Sequence, residues 1–122
     1  MFCTDAIAYG GYGVDFSCCS NVRAKPTADQ RSLHAKALAE LEHNANMLDP
    51  SRSFSKFAQS AWVGPARHAP CGYYCLAHGL RLCGEYPYVP LAQAGNTYDF
   101  DGEFELGMVI CIESYIDDET LQ

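Results

Sequence analysis

Asp5, Asp15, His78 and Glu113 are the residues of this 122-residue chain whose types and positions could do chemistry together. The apolar and aromatic run from Tyr73 to Leu82 is short and interrupted by glycine, so it reads as a buried strand turning at Gly79. That leaves His78 at a strand end, facing a cleft. The apolar run Met108–Ile112 leads directly into Glu113 and reads as a last strand within 107–116. A carboxylate beside a sheet core needs a partner or a metal, because an unpaired buried charge is costly. Asp5 and Asp15 lie on FCTDAIAY and YGVDFSCCS, two arms joined at Gly10–Gly11. A hairpin folded at those glycines pairs positions whose numbers sum to about twenty or twenty-one, which brings the two aspartates close to facing each other. Carboxylates across a ladder repel unless a cation lies between them.

Three carboxylates and an imidazole make a nitrogen and oxygen donor set that suits manganese, iron, cobalt or zinc better than a soft metal or calcium. Two such ions sharing carboxylates would activate a water and polarise a carbonyl, which is hydrolysis. Each residue also has a plainer reading. Aspartates serve turns and solvated faces, a strand histidine can be a satisfied core residue, and a late glutamate can be salt-bridged without any function. Glu85, in the segment after His78, is a candidate substrate or proton-transfer group, or else a surface glutamate in a turn.

The elements that must hold these residues are legible in outline. Thr27 followed three positions later by Gln30 is a capping box and predicts a helix opening behind Pro26. Leu33, Ala37, Leu38, Leu41, Ala45 and Leu48 recur at helical steps as its core stripe, and it ends before Asp49–Pro50. His34 and His43 fall off that stripe and read as solvated. Ser51–Ser53 open a shorter helix carrying Phe54, Phe57, Ala58, Ala61 and Trp62, stopped by Gly64–Pro65. His68 falls in the loop ARHAPCG. The stretch EYPYVPLAQAGNTYDFDGEFE has no helical period and reads as a long loop of the functional kind, and DDETLQ as a solvated tail. The expected class is α+β, with helices covering one face of an antiparallel sheet.

Composition sets the bounds. At 48% hydrophobic and 19% charged, the chain has the makings of one core. A net charge of −7 argues against nucleic acid, which is bound by neutralising phosphates with Lys and Arg. No apolar run approaches the roughly 20 residues that cross a bilayer, and the first residues lack the order of a signal peptide, so a cytoplasmic protein is expected with no membrane partner. Seven cysteines, odd in number and irregular in spacing, fit reduced thiols better than disulfides or a zinc site. Cys75, Cys83 and Cys111 read as small buried hydrophobes.

The blocks CTDAIAYGGYGVDFS, PTADQRSLHAKAL, LAHGLRLCGEYP and YDFDGEFELGMVICIESYI together resemble the creatinase/aminopeptidase P/prolidase superfamily, metallopeptidases of the pita-bread fold. The resemblance runs from Met1 to about Tyr115, and its most specific parts are HG followed by EYP, and E-x-GM-x-x-x-x-ESY. The LCGEYP variant is also similar to the branch that contains dimethylsulfoniopropionate lyases. The resemblance implies that 1–122 is the C-terminal part of a pita-bread catalytic domain. It implies Asp5 and Asp15 as hairpin ligands, His78 as ligand to one ion and Glu113 as a further carboxylate ligand, holding two divalent ions of manganese, cobalt, iron or zinc. The implied reaction is hydrolysis of an Xaa-Pro bond in a short peptide with proline at its second position.

In that superfamily a further glutamate bridges both ions from a strand beyond the ESY block. Here the sequence stops at Gln122, and Glu119 comes too soon, so the expectation is a truncated domain with an incomplete cage and impaired hydrolysis. A non-hydrolytic lyase or a non-catalytic fragment are the alternatives. Cys3, Cys18, Arg81 and Leu106 depart from the acidic residue, arginine, glycine and proline usual at those places. A sheet cut at both ends exposes edges that invite a second copy, so a homodimer is expected.

Overall fold

The computed structural model describes residues 2–7, 10, 13–18, 20, 24–62, 74–80, 86–92 and 102–116, the first two strands as backbone alone. Strands β1 (Phe2–Ile7) and β2 (Gly13–Cys18) form an antiparallel pair. Their register runs from Phe2 opposite Cys18 to Ile7 opposite Gly13 and sets Asp5 opposite Asp15. Gly10 in the connection has φ 70°, a conformation that glycine adopts without the Cβ penalty of other residues.

Helix α1 (Ala28–Asn46) starts as its capping box predicts. The Thr27 side chain accepts from the Gln30 N–H at 3.2 Å, and the Thr27 N–H donates to the Gln30 side chain at 2.9 Å. The helix stops at Met47, ahead of Asp49–Pro50. Its inward face keeps part of the apolar stripe, with Leu33, Ala37, Leu41 and Leu48 half-buried, but its buried residues are Glu40 and Asn44, while Leu38 is 45% exposed and Ala45 lies in solvent. Both polar side chains have partners in distant parts of the chain. Asn44 is fully buried, and its Oδ1 accepts the Trp62 N–H at 2.9 Å. This bond ties the end of the second helix to the first.

Helix α2 (Phe54–Ser60) is capped by Ser53, whose hydroxyl accepts from the Lys56 N–H. Strand β3 (Cys75–Gly79) is buried at every position and lies between β4 (Tyr88–Pro90) and β5 (Ile110–Ile112), antiparallel to both. The fold is therefore α+β, with α2 packed against β4 and α1 against β5. β4 sits inside the stretch expected to be loop. The same stretch returns at Glu103, which bridges Ser53, while the Phe54 N–H donates to Gly102 O and the Phe104 N–H to Arg52 O. That clamp seats Phe104 edge-on to Phe54 and Phe57, with centroids 4.9 and 5.3 Å apart, in a core completed by Ala58, Ala61, Leu76, Ala77 and Val89. Edge-to-face rings gain quadrupole attraction beyond the area they bury.

Cys75 is buried, Cys111 half-buried, and both are thiols rather than disulfide halves; Cys83 lies outside the described residues. Among the described residues no helix is long and apolar enough to cross a membrane.

Candidate functional site

His78 lies in the middle strand, opposite Tyr88 on one side and Cys111 on the other. At 4% exposure it is enclosed by the sheet rather than standing at the mouth of a cleft. The pairing of Ala77 with Ile112 puts the next residue, Glu113, across from Leu76, and the Glu113 N–H donates to Leu76 O at 3.0 Å. Opposed residues share a face, and so do residues two apart on one strand. Glu113 and His78 are therefore diagonal neighbours on one face of the sheet, within reach of long side chains.

They meet. His78 Nε2 is 3.2 Å from Glu113 Oε1, with the imidazole almost fully enclosed and the carboxylate one-fifth exposed. On the other side of the ring, Nδ1 is 3.3 Å from Gly79 O. A carbonyl only accepts, so the Gly79 contact is a hydrogen bond when Nδ1 carries the hydrogen, and Nε2 is then the nitrogen that meets Glu113, through a proton or a cation between the two atoms. The separation also matches what one ion would need. Two donors each about 2.0–2.2 Å from a metal, at 90–110° to one another, lie about 3.0–3.5 Å apart. The pair thus fits two adjacent positions of a divalent metal.

Of the expected ligand set, Asp5 is opposite Asp15 in backbone register, and His78 meets Glu113 by side chain. The Asp5 and Asp15 side chains lie outside the described atoms, as do the whole of Glu85, His68 and Arg81. Among the described residues, no three His, Cys, Asp or Glu side chains converge as a cage. His34 and His43 are exposed, as their place off the helical stripe predicts, and the His43 ring meets Trp62 edge-on.

Residues that sequence reasoning passed over stand behind Glu113. Ser114 Oγ donates to Ala37 O at 2.8 Å and lies 3.3 Å from Glu40 Oε2. Burial pushes the Glu40 carboxyl above its ordinary range, and the Ser114 hydrogen bond offsets part of that rise. A raised native value means that the folded chain holds this proton more tightly than the unfolded one. The resulting stability is fully present below about 4.5, the unfolded value, and is lost as pH rises through the native value. Glu40→Gln has no such proton to lose. Its urea midpoint should therefore gain on that of the wild type as pH is raised from 4 towards 8; parallel curves would mean that Glu40 binds its proton no more tightly in the folded chain than in the unfolded one.

No protein-family model matches the chain. The sequence is similar to two curated proteins, both named dimethylsulfoniopropionate lyase DddP. It is 28% identical to that of Roseobacter denitrificans over 125 aligned residues, covering 97% of this chain and 27% of the relative. It is 30% identical to that of Roseovarius nubinhibens over 116, covering 94% of this chain and 26% of the relative. The chain thus spans about a quarter of the length of either relative.

Proposed function

We propose, starting from the similarity to the two lyases, that this sequence is part of a pita-bread metalloenzyme domain whose chemistry is elimination. In this reading Asp5, Asp15, His78 and Glu113 hold divalent metal. The observation that carries it is the His78–Glu113 pair, an imidazole nitrogen and a carboxylate oxygen 3.2 Å apart. The facing aspartates of the hairpin support it as a second pair of donors. Hydrolysis of an Xaa-Pro bond, the first expectation from sequence, yields its place because both relatives are named as lyases and neither as a peptidase.

The substrate carries a sulfonium at one end and a carboxylate at the other. Elimination removes a proton from the carbon beside the carboxylate; that C–H pair becomes the double bond, the C–S bond breaks, and dimethyl sulfide leaves with the sulfur electron pair. Acrylate remains. Divalent metal would supply positive charge to the substrate carboxylate, making the neighbouring C–H more acidic. Within the chain, His78 and Glu113 keep a fixed donor geometry because both are seated on the same three-stranded sheet. The proton acceptor assigned on sequence position is Glu85, a carboxylate on the segment leading from β3 to β4.

The test is incubation of the purified protein and Mn2+ with dimethylsulfoniopropionate, beside an Xaa-Pro dipeptide. Dimethyl sulfide in the headspace and acrylate in solution, without peptide cleavage, is the expected result. Dipeptide cleavage without sulfide would return the hydrolytic reading. Neither product would leave a non-catalytic fragment.

A further inference from the structure

The glutamate that meets His78 is not held by its own strand alone. β5 ends at Ile112, and Glu113 keeps one ladder bond, to Leu76 O. The next residue is anchored to a different element: the Ser114 hydroxyl reaches α1 at two points, Ala37 O at 2.8 Å and Glu40 Oε2 at 3.3 Å. The Ser114 O–H is shared between two acceptors on α1, the Ala37 carbonyl at the shorter distance and Glu40 Oε2 at the longer, so one hydroxyl ties the segment to the main chain and to a side chain of the same helix.

We infer that Glu40 is a positioning residue: through Ser114 it pins the segment beyond β5 to α1 and so holds the Glu113 carboxylate against His78. Its significance for metal rests on the functional reading above, but the positioning itself is a property of the metal-free protein. A glutamate in the middle of a 19-residue helix, on the face that should be apolar, is otherwise a costly choice. It touches neither substrate nor metal, and acts through its neighbour.

The readout is the long-range proton–nitrogen NMR spectrum of the imidazoles in metal-free protein, with Glu113→Ala giving the His78 Nε2 position when its partner is gone. In Glu40→Ala that resonance should move toward the Glu113→Ala position, while the exposed His34 and His43 signals stay where they are. Glu40→Gln, which keeps a side-chain oxygen to accept from Ser114, should restore the wild-type position. Ser114→Ala removes the other end of the same link and should reproduce the Glu40→Ala shift, giving a second route if Glu40→Ala does not fold. A His78 resonance unmoved in both Glu40→Ala and Ser114→Ala overturns the inference, as does movement of all histidines together, which would report loosening of the whole fold. A Co2+ titration of the wild type, run separately, addresses the metal reading: failure to bind would remove that reading and leave the His78 shifts to decide the positioning.

Discussion

Replacing His78 with alanine is expected to lower Mn2+ or Co2+ affinity by more than 100-fold, read by calorimetric titration. Loss of a partner that merely orients a ligand costs roughly 10–100-fold, and a directly coordinating nitrogen should exceed that. The expectation follows from the ring's surroundings. Nε2 is the nitrogen turned toward Glu113 Oε1, while Nδ1 lies against Gly79 O. Glu113→Ala should weaken binding too, because it removes the adjacent donor. His34→Ala serves as the control, an exposed histidine on α1 that belongs to no such pair. Equal affinity in wild type and His78→Ala would reduce the His78–Glu113 contact to an ordinary ion pair buried in the sheet. It would leave Asp5 and Asp15 without their proposed co-ligands.

The difference between what the residues announced and what only the fold revealed is physical. Local signals were read correctly because their causes lie within a few residues. The Thr27–Gln30 cap, the hairpin register that opposes Asp5 and Asp15, and the buried strand through His78 all belong to this kind. β4 was not visible, because three residues including a proline give no alternation to count, and what makes them a strand is the neighbouring β3. The stripe on α1 holds at Leu33, Ala37, Leu41 and Leu48 and departs at Leu38 and Ala45 for a related reason. Apolar periodicity favours Leu38 over Glu40, but Glu40 accepts from Ser114, and Asn44 accepts the Trp62 N–H at Oδ1 while its buried Nδ2 has no partner among the described residues; the two partners lie 74 and 18 positions away. A polar side chain with a fixed partner can sit where an unpaired one could not. The same limit applies to the site. The opposition of Asp5 and Asp15 and the approach of Glu113 to His78 were foreseeable from their own strands, whereas Glu40 behind Glu113 had no signal in the sequence beyond a serine following a glutamate.

Gly79→Ala should cost stability and metal affinity together, because the residue after His78 has no room for a methyl group. A Cβ there would collide with Tyr86 O and lie 2.8 Å from Pro87 Cδ and 2.9 Å from Tyr86 C. These atoms belong to the backbone and a proline ring, so no rotamer change relieves the contact. The Gly79 N–H also donates to Pro87 O at 2.9 Å, and His78 pairs with Tyr88 just beyond. Accommodating the methyl therefore means drawing the entrance to β4 away from β3 or twisting the strand that carries His78. Overpacking of this kind costs about 1–3 kcal/mol, and a rigid obstacle puts it at the upper end. The stiffer unfolded chain returns only about 0.4–1 kcal/mol. Gly107→Ala is the comparison that isolates the mechanism. Gly107 has φ 93° with nothing within 4 Å of the added atom, so its substitution strains the backbone but crowds nothing. It should lower the urea midpoint by an amount matching about 1–2 kcal/mol and leave Co2+ binding unchanged. Gly79→Ala should lower both. Intact Co2+ affinity in a destabilised Gly79→Ala would mean that strain at the β3–β4 approach is absorbed before it reaches His78, and that the donor pair is held from the β5 and α1 side alone.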